Sequence, residues 1–273
     1  MQSAHYTLAD LLRAMQRLRD PVSGCPWDLE QDFASIVPST LEECYELVEA
    51  IEARDFDHVA EELGDVLFQV VFYSQLGSER ELFDFDSIVE TLVEKLLRRH
   101  PHVFADGAIE GFVEETSTFD EVRESWEAIK QRERRDRSQT GLLADVPLAL
   151  PALSRAQKLQ KRAAQVRFDW PDAVSVLGKL EEELQELHAA MTQDGAAVKE
   201  ELGDVLFTCV NLARHLEVDA ESSLRDACSK FARRIGRMEH RVRGEGRTLA
   251  DLDAPERDQY WERAKPEDSE PDL

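Results

Sequence analysis

The chain has 273 residues, 42% of them apolar and 33% charged, with a formal net charge of −24. That length holds two domains with cores of their own, and the apolar share is too high for a disordered chain. A field this negative repels phosphate backbones and excludes general nucleic-acid binding, yet Mg²⁺ set between carboxylates and phosphates still admits a nucleotide. Gly and Pro are scarce and Leu, Ala, Glu and Arg plentiful, which favours helices. Cys25, Cys44, Cys209 and Cys228 have no CxxC spacing, so a zinc ribbon is excluded. They read as free, mostly buried thiols in a reducing cytoplasm. Met1 to Asp20 lacks the apolar core of a signal peptide, and no run of 18 apolar residues occurs, so no membrane span is expected.

In chain order, Leu8, Leu11, Leu12, Met15 and Leu18 mark one face of a helix over about 7–19. Asp20-Pro21 through Pro26-Trp27-Asp28 reads as a loop. Ser39 or Thr40 is placed to cap a helix ending near Ala53, with Glu42 and Glu43 in its first turn. Asp55 or Asp57 starts another over about 58–77, broken near Gly77. Helices at about 86–99 and 119–135 follow, with Gly107 and Gly111 in the loop between them. A mixed-charge run, Lys130 to Arg137, ends the first half. Gly141, Pro147 and Pro151 mark a linker. The second half repeats the theme, with helices at about 152–165, 173–192, 195–217, 220–243 and 255–264. Asp169 or Asp172 caps the second of these. No period-two strand pattern persists, so each half is expected to be an all-α bundle of four main helices. The domains are read as 1–137 and 152–265, with a linker at 138–151 and an acidic tail at 266–273.

Glu61-Glu62-Leu63-Gly64-Asp65-Val66-Leu67-Phe68 recurs letter for letter as Glu200-Glu201-Leu202-Gly203-Asp204-Val205-Leu206-Phe207. Each copy follows a second acidic cluster, Glu42, Glu43 and Glu46 in one half and Glu181, Glu182, Glu183 and Glu186 in the other. The gap from Glu43 to Glu62 is 19 residues and from Glu183 to Glu201 it is 18. Residues three apart share a helix face, so Glu183 with Glu186, and Glu201 with Asp204, project together. If the two helices pack antiparallel, the four carboxylates meet, and their repulsion calls for a cation. Oxygen ligands without His or Cys select Mg²⁺ or Mn²⁺ over zinc, and Mg²⁺ keeps positions open for substrate phosphates. Leu180, Leu184 and Leu187, and Leu202, Val205, Leu206 and Cys209, set apolar stripes beside the acids. This distinguishes them from an ordinary solvated face. Gly203 inside a helix points to a close helix or ligand approach. None of the seven histidines has Glu three residues before it, which disfavours a di-iron bundle.

Cations for the phosphates stand at Lys230, Arg233, Arg234 and Arg237 around Phe231, and at Lys95, Arg98, Arg99 and His100 in the first half. Lys179, four residues before Glu183, serves either phosphate or carboxylate. Trp261, Trp170, Phe168 and Trp27 are candidates to stack a base, though such residues are commonly core. There is no Walker-type loop and no GxGxxG.

These patterns closely resemble the MazG family of nucleoside triphosphate pyrophosphohydrolases. Its ExxE–spacer–ExxD pattern stands here as Glu43 and Glu46 with Glu62 and Asp65, and as Glu183 and Glu186 with Glu201 and Asp204. Met15 to Pro21, Gly24 to Asp28, Arg98 to Phe104, Pro151 to Leu153, Phe168 to Trp170 and Asn211 to Arg214 look like the tandem bacterial form. The resemblance implies two MazG domains, a homodimer, and Mg²⁺-dependent hydrolysis of NTPs and dNTPs to monophosphate and pyrophosphate. It implies metal ligation by Glu183, Glu186, Glu201 and Asp204. It implies nucleotide contacts from Lys179, Leu180, Glu181, Glu182 and Glu183; from Ala197, Val198, Lys199 and Glu200; from Lys230, Phe231, Ala232, Arg233 and Arg234; and from Trp261. Ala232 departs from the family, which has an acid there. In tandem relatives the C-terminal domain tends to carry the activity, and the second half is favoured on that ground alone.

The mechanism expected from these residues has the second-half carboxylates hold Mg²⁺ against the triphosphate, with Glu182 orienting water or taking its proton. Lys230, Arg233 and Arg234 stabilise pyrophosphate. Two other classes stay open at this point: a nucleotide sensor or partner-binding protein without turnover, and a purely structural helical dimer.

Overall fold

Several helices begin at a side chain that accepts a hydrogen bond from the first turn, which meets one of the donors a helix start leaves unsatisfied. Thr7, Asp55, Asp84, Thr118, Asp172, Asp219 and Asp253 are such caps. The computed structural model describes residues 5–111, 117–136, 141–192 and 195–265. The acidic tail 266–273, linker residues 138–140, and most side chains of the run Lys130 to Arg137 lie outside the described residues. The chain divides into two compact units, Met1–Gln131 and Arg132–Leu273. Among the described residues there is no strand, and no helix is long and apolar enough to cross a membrane.

The first unit carries α1 (Leu8–Leu18), α2 (Pro26–Glu30), α3 (Val37–Ala53), α4 (Phe56–Glu79) and α5 (Phe85–Arg99). Helix α6 (Phe119–Asp136) runs across the division between the units. Met15, Ile36, Val71, Phe72 and Leu76 form the core, with Leu11, Leu12, Phe33 and Phe68 against it. The buried Arg19 donates to both oxygens of Glu79, at 2.7 and 2.6 Å, and to the carbonyls of Asp28 and Gln31. Its guanidinium lies 5.3 Å from the centre of the Phe72 ring. One side chain thus fastens the α1–α2 turn to α4.

Three local expectations are corrected here. Residues 26–30, read as loop, form α2, because Pro26 in the first turn sets a helical φ and gives up no needed donor. Helix α3 starts at Val37 behind Pro38, without a side-chain cap. Ser39 and Thr40 therefore lie inside it, and the Thr40 hydroxyl instead bonds the Ile36 carbonyl and the Tyr73 hydroxyl, each at 3.0 Å. Glu42 and Glu43 fall in the second turn. Helix α4 passes through Gly77 and ends at Glu79. A Cβ at Gly77 would lie 2.5 Å from the Phe83 ring, so glycine is there for packing and not as a stop.

The second unit carries α7 (Ala152–Ala164), α8 (Ala173–Ala190), α9 (Gly195–His215), α10 (Ala220–Gly244) and α11 (Ala254–Ala264). Helices α8 and α9 form an antiparallel hairpin, as α3 and α4 do in the first unit. Buried glutamines tie α7 to its neighbours. Gln157 donates to the Val218 carbonyl at 2.9 Å, and Gln160 to that of Phe207 at 2.8 Å. Met238, Val242, Leu252, Tyr260 and Ala264 join α10 to α11. Val146 is buried and Asp145 pairs with Arg162, so residues 141–151 are fastened to this unit. Asp172 is the α8 cap, whereas Asp169 pairs with Arg214 and lies 3.1 Å from His215 Nε2. Burial alone would raise the Asp169 pKa, but these two partners hold it below the usual carboxylate range.

Candidate functional site

Each acidic hairpin gathers three carboxylates: Glu43, Glu62 and Asp65 on α3–α4, and Glu183, Glu201 and Asp204 on α8–α9. Within each trio one oxygen per residue lies within 4.8 Å of the other two. The spacing explains why. Glu and Asp three apart share the inner face of the second helix, and the short turn sets them opposite the acid of the first helix. Glu46 and Glu186 fall outside the trios but are felt by them. Burial, then Asp65, Glu46 and Glu62, raise the Glu43 pKa; burial, then Glu186, Asp204 and Glu183, raise that of Glu201. Crowded oxygen donors whose charges push each other's pKa upward fit a hard divalent cation, which relieves that repulsion. The buried Oε2 of Glu62 has no hydrogen-bond partner, as such a donor set requires.

The trios are not identical. In the second half the buried acid is Glu183 on the leading helix, and Lys179 reaches it at 2.9 Å while also holding Glu182 at 2.8 Å. Those two bonds push the Lys179 pKa up. In the first half the buried acid is Glu62 on the trailing helix, held by His58 Nε2 at 2.6 Å. Sequence reasoning missed His58, although its i,i+4 spacing to Glu62 was the available signal. Ser39 occupies the place of Lys179, and Ala197 that of His58.

Other expected residues fall into separate groups. Ala197, Val198, Lys199 and Glu200 form the start of α9, and Leu180 and Glu181 lie on α8 beside the trio. Lys230, Phe231, Ala232 and Arg233 are exposed along α10. The Arg234 guanidinium sits 5.1 Å from the centre of the Trp261 ring, and the Phe231 and Trp261 centroids are 5.5 Å apart. Beside them a cleft of about 390 Å³ opens between α10 and α11. Lys230 and Arg233 pair with none of the trio acids. Trp170, Phe168 and Trp27 stand exposed elsewhere.

Two expectations are corrected in part here. A Cβ added at Gly64 or Gly203 would meet no atom of another element within 4 Å, so the close-helix reading of Gly203 does not hold and the ligand reading is the one that stays open. The thiols are free, but Cys44, Cys209 and Cys228 are exposed and Cys25 is half-buried, because their helix faces are left uncovered. The same uncovered face runs along Leu63, Leu67 and Val70 on α4 and along Leu202 and Leu206 on α9.

The model described as the MazG nucleotide pyrophosphohydrolase domain matches residues 31–104 and again 172–240, segments that contain both acidic hairpins. A nucleoside triphosphate pyrophosphohydrolase of Escherichia coli K12 is 48% identical over 258 residues, 93% of this chain and 95% of the relative. A nucleoside triphosphate pyrophosphohydrolase/pyrophosphatase MazG of Thermotoga maritima is 42% identical over 265 residues, 97% of this chain and 98% of the relative. The uncharacterized YabN of Bacillus subtilis is 41% identical over 253 residues, 92% of this chain but 50% of the relative.

Proposed function

The chain belongs to the MazG nucleotide pyrophosphohydrolase family, and from that premise we propose that it is a Mg²⁺-dependent nucleoside triphosphate pyrophosphohydrolase. It hydrolyses a phosphoanhydride bond of NTPs and dNTPs, leaving the monophosphate and pyrophosphate. The observation that carries this reading is the trio Glu183, Glu201 and Asp204 with Lys179 beside it. When bound, the divalent cation neutralises charge on phosphoryl oxygens and acidifies water. Glu183, Glu186, Glu201 and Asp204 hold it, and Mn²⁺ fits the same donors.

The remaining steps belong to side chains of this chain. Lys179, paired with Glu183 and Glu182, would turn to a phosphate oxygen and leave Glu183 free as a metal ligand. Glu182, released by the same movement, orients water and accepts its proton. Lys230, Arg233 and Arg234 pair the pyrophosphate as its charge grows. Trp261 and Phe231 stack the base, with the first turns of α9 completing the nucleotide contacts.

The first half favours a second reading for itself. Ser39 in place of Lys179 leaves its trio without a phosphate-seeking ammonium, so it binds a metal nucleotide without turning it over. The uncovered rows of leucine support a homodimer, since contiguous apolar faces of this kind mark protein interfaces. A cytoplasmic location accords with four free thiols.

Incubation of the purified protein with each dNTP and Mg²⁺, followed by product analysis, tests the reading. Monophosphate with pyrophosphate is the expected pair. Diphosphate with orthophosphate, or no product despite binding, overturns it.

A further inference from the structure

The cleft between α10 and α11 has apolar walls of Phe231, Ile235, Met238, Leu249 and Trp261, and two charged residues, Arg257 and Asp258, line it as well. Both are exposed, and among the described residues neither is engaged in an ion pair or side-chain hydrogen bond. An apolar aromatic slot with a free cation and a free carboxylate side by side is chemistry for the edge of a flat heterocycle. The Lys230, Arg233 and Arg234 cations lie along the same helix, so a triphosphate held there leaves its base next to the slot.

We propose that Arg257 and Asp258 read the base edge and make this chain prefer guanine nucleotides, an inference that rests on the nucleotide pyrophosphohydrolase reading. Guanine offers N1–H and N2–H₂ side by side, and a carboxylate accepts both in one bidentate contact. Its O6 and N7 accept from a guanidinium. Adenine presents a bare N1 acceptor where guanine has N1–H, and that lone pair repels a carboxylate. Pyrimidines offer Trp261 and Phe231 a smaller face to stack on. Hypoxanthine keeps O6 and N1–H but lacks the N2 amine, and so falls between guanine and adenine.

Steady-state kinetics of the full chain with dGTP, dITP, dATP and dCTP test this, alongside Asp258→Asn and Arg257→Gln. The expected order is dGTP, then dITP, then dATP, with kcat/KM for dGTP roughly tenfold above that for dATP. In Asp258→Asn that ratio falls to within about twofold, and Arg257→Gln lowers it by a smaller factor. A flat wild-type profile, or a ratio unmoved in both variants, overturns the inference while leaving the pyrophosphohydrolase reading intact. Equilibrium binding of α,β-methylene dGTP and dATP with Mg²⁺ separates the converse case. If no nucleotide is hydrolysed, tighter binding of the guanine analogue that Asp258→Asn removes sustains base reading and refutes turnover. Equal binding of both analogues refutes base reading as well.

Discussion

The two acidic hairpins carry the same eight-residue motif, yet each buries a different acid. In the first half the buried carboxylate is Glu62, on the trailing helix, with His58 as its partner. In the second it is Glu183, on the leading helix, with Lys179. The exchange teaches that two trios of like carboxylates can be set in different surroundings. They differ in the basic residue one helical turn away. A lysine on a flexible stem can leave its acid and follow a phosphate, whereas an imidazole four residues before Glu62 is a short, stiff reach. The repeated motif carries the same donors in both halves, while Ser39 against Lys179 and His58 against Ala197 distinguish them.

The sharpest way to break this comparison is to remove one ligand from each trio. Asp204→Asn is expected to lower pyrophosphate release at least about a hundredfold, since it removes charge opposite the developing phosphoryl charge. Asp65→Asn is expected to keep most of the activity. The reverse pattern would move the active centre to the first half. Next in size, Lys179→Ser makes the second half resemble the first and should cost about tenfold in kcat/KM, the worth of one charge-assisted hydrogen bond. An unchanged rate would show that Lys179 serves the carboxylates alone.

Leu206→Asp places a charge on the uncovered α9 face and, on the homodimer proposed above, should shift the protein toward monomer by light scattering. Leu67→Asp makes the same test of α4, and whichever half dissociates identifies the face that pairs.

The smallest expected effect concerns how the first half is fastened. Arg19 and Gln75 hold the Glu79 carboxyl below its ordinary pKa. The carboxylate is thus favoured in the folded state. Its stabilisation is present above the unfolded value and is lost as pH falls through the folded one. Arg19→Met should cost about 2 kcal/mol near neutrality. The gap in melting temperature between wild type and variant should narrow as pH drops through the acid range. A gap that stays constant would assign the loss to the carbonyl bonds and the packing over Phe72, and not to Glu79.

Much of this was legible in the sequence because it rests on local periodicity. Leu8, Leu11, Leu12 and Met15 marked α1 by spacing, and the pairs Asp55 or Asp57 and Asp169 or Asp172 marked two helix starts by capping chemistry. The trios were legible because ExxD fixes one face and a short connection fixes the other. What failed was set by contacts distant in sequence. Gly77 looks like a helix stop until the Phe83 ring is seen against it. Thr40 looks like a cap until Tyr73 claims its hydroxyl. Cys44 and Cys209 look like core thiols until their helix faces are found uncovered.

By itself the sequence determined most of the helices, the duplication, and three of the four acids it set together in each half, because each follows from covalent spacing and helix geometry. Only the tertiary structure decided which acid of each trio is buried, which base partners it, and that Arg257 and Asp258 border the cleft beside Trp261. Burial and ion pairing depend on which faces of separate helices come together, and no local spacing encodes that.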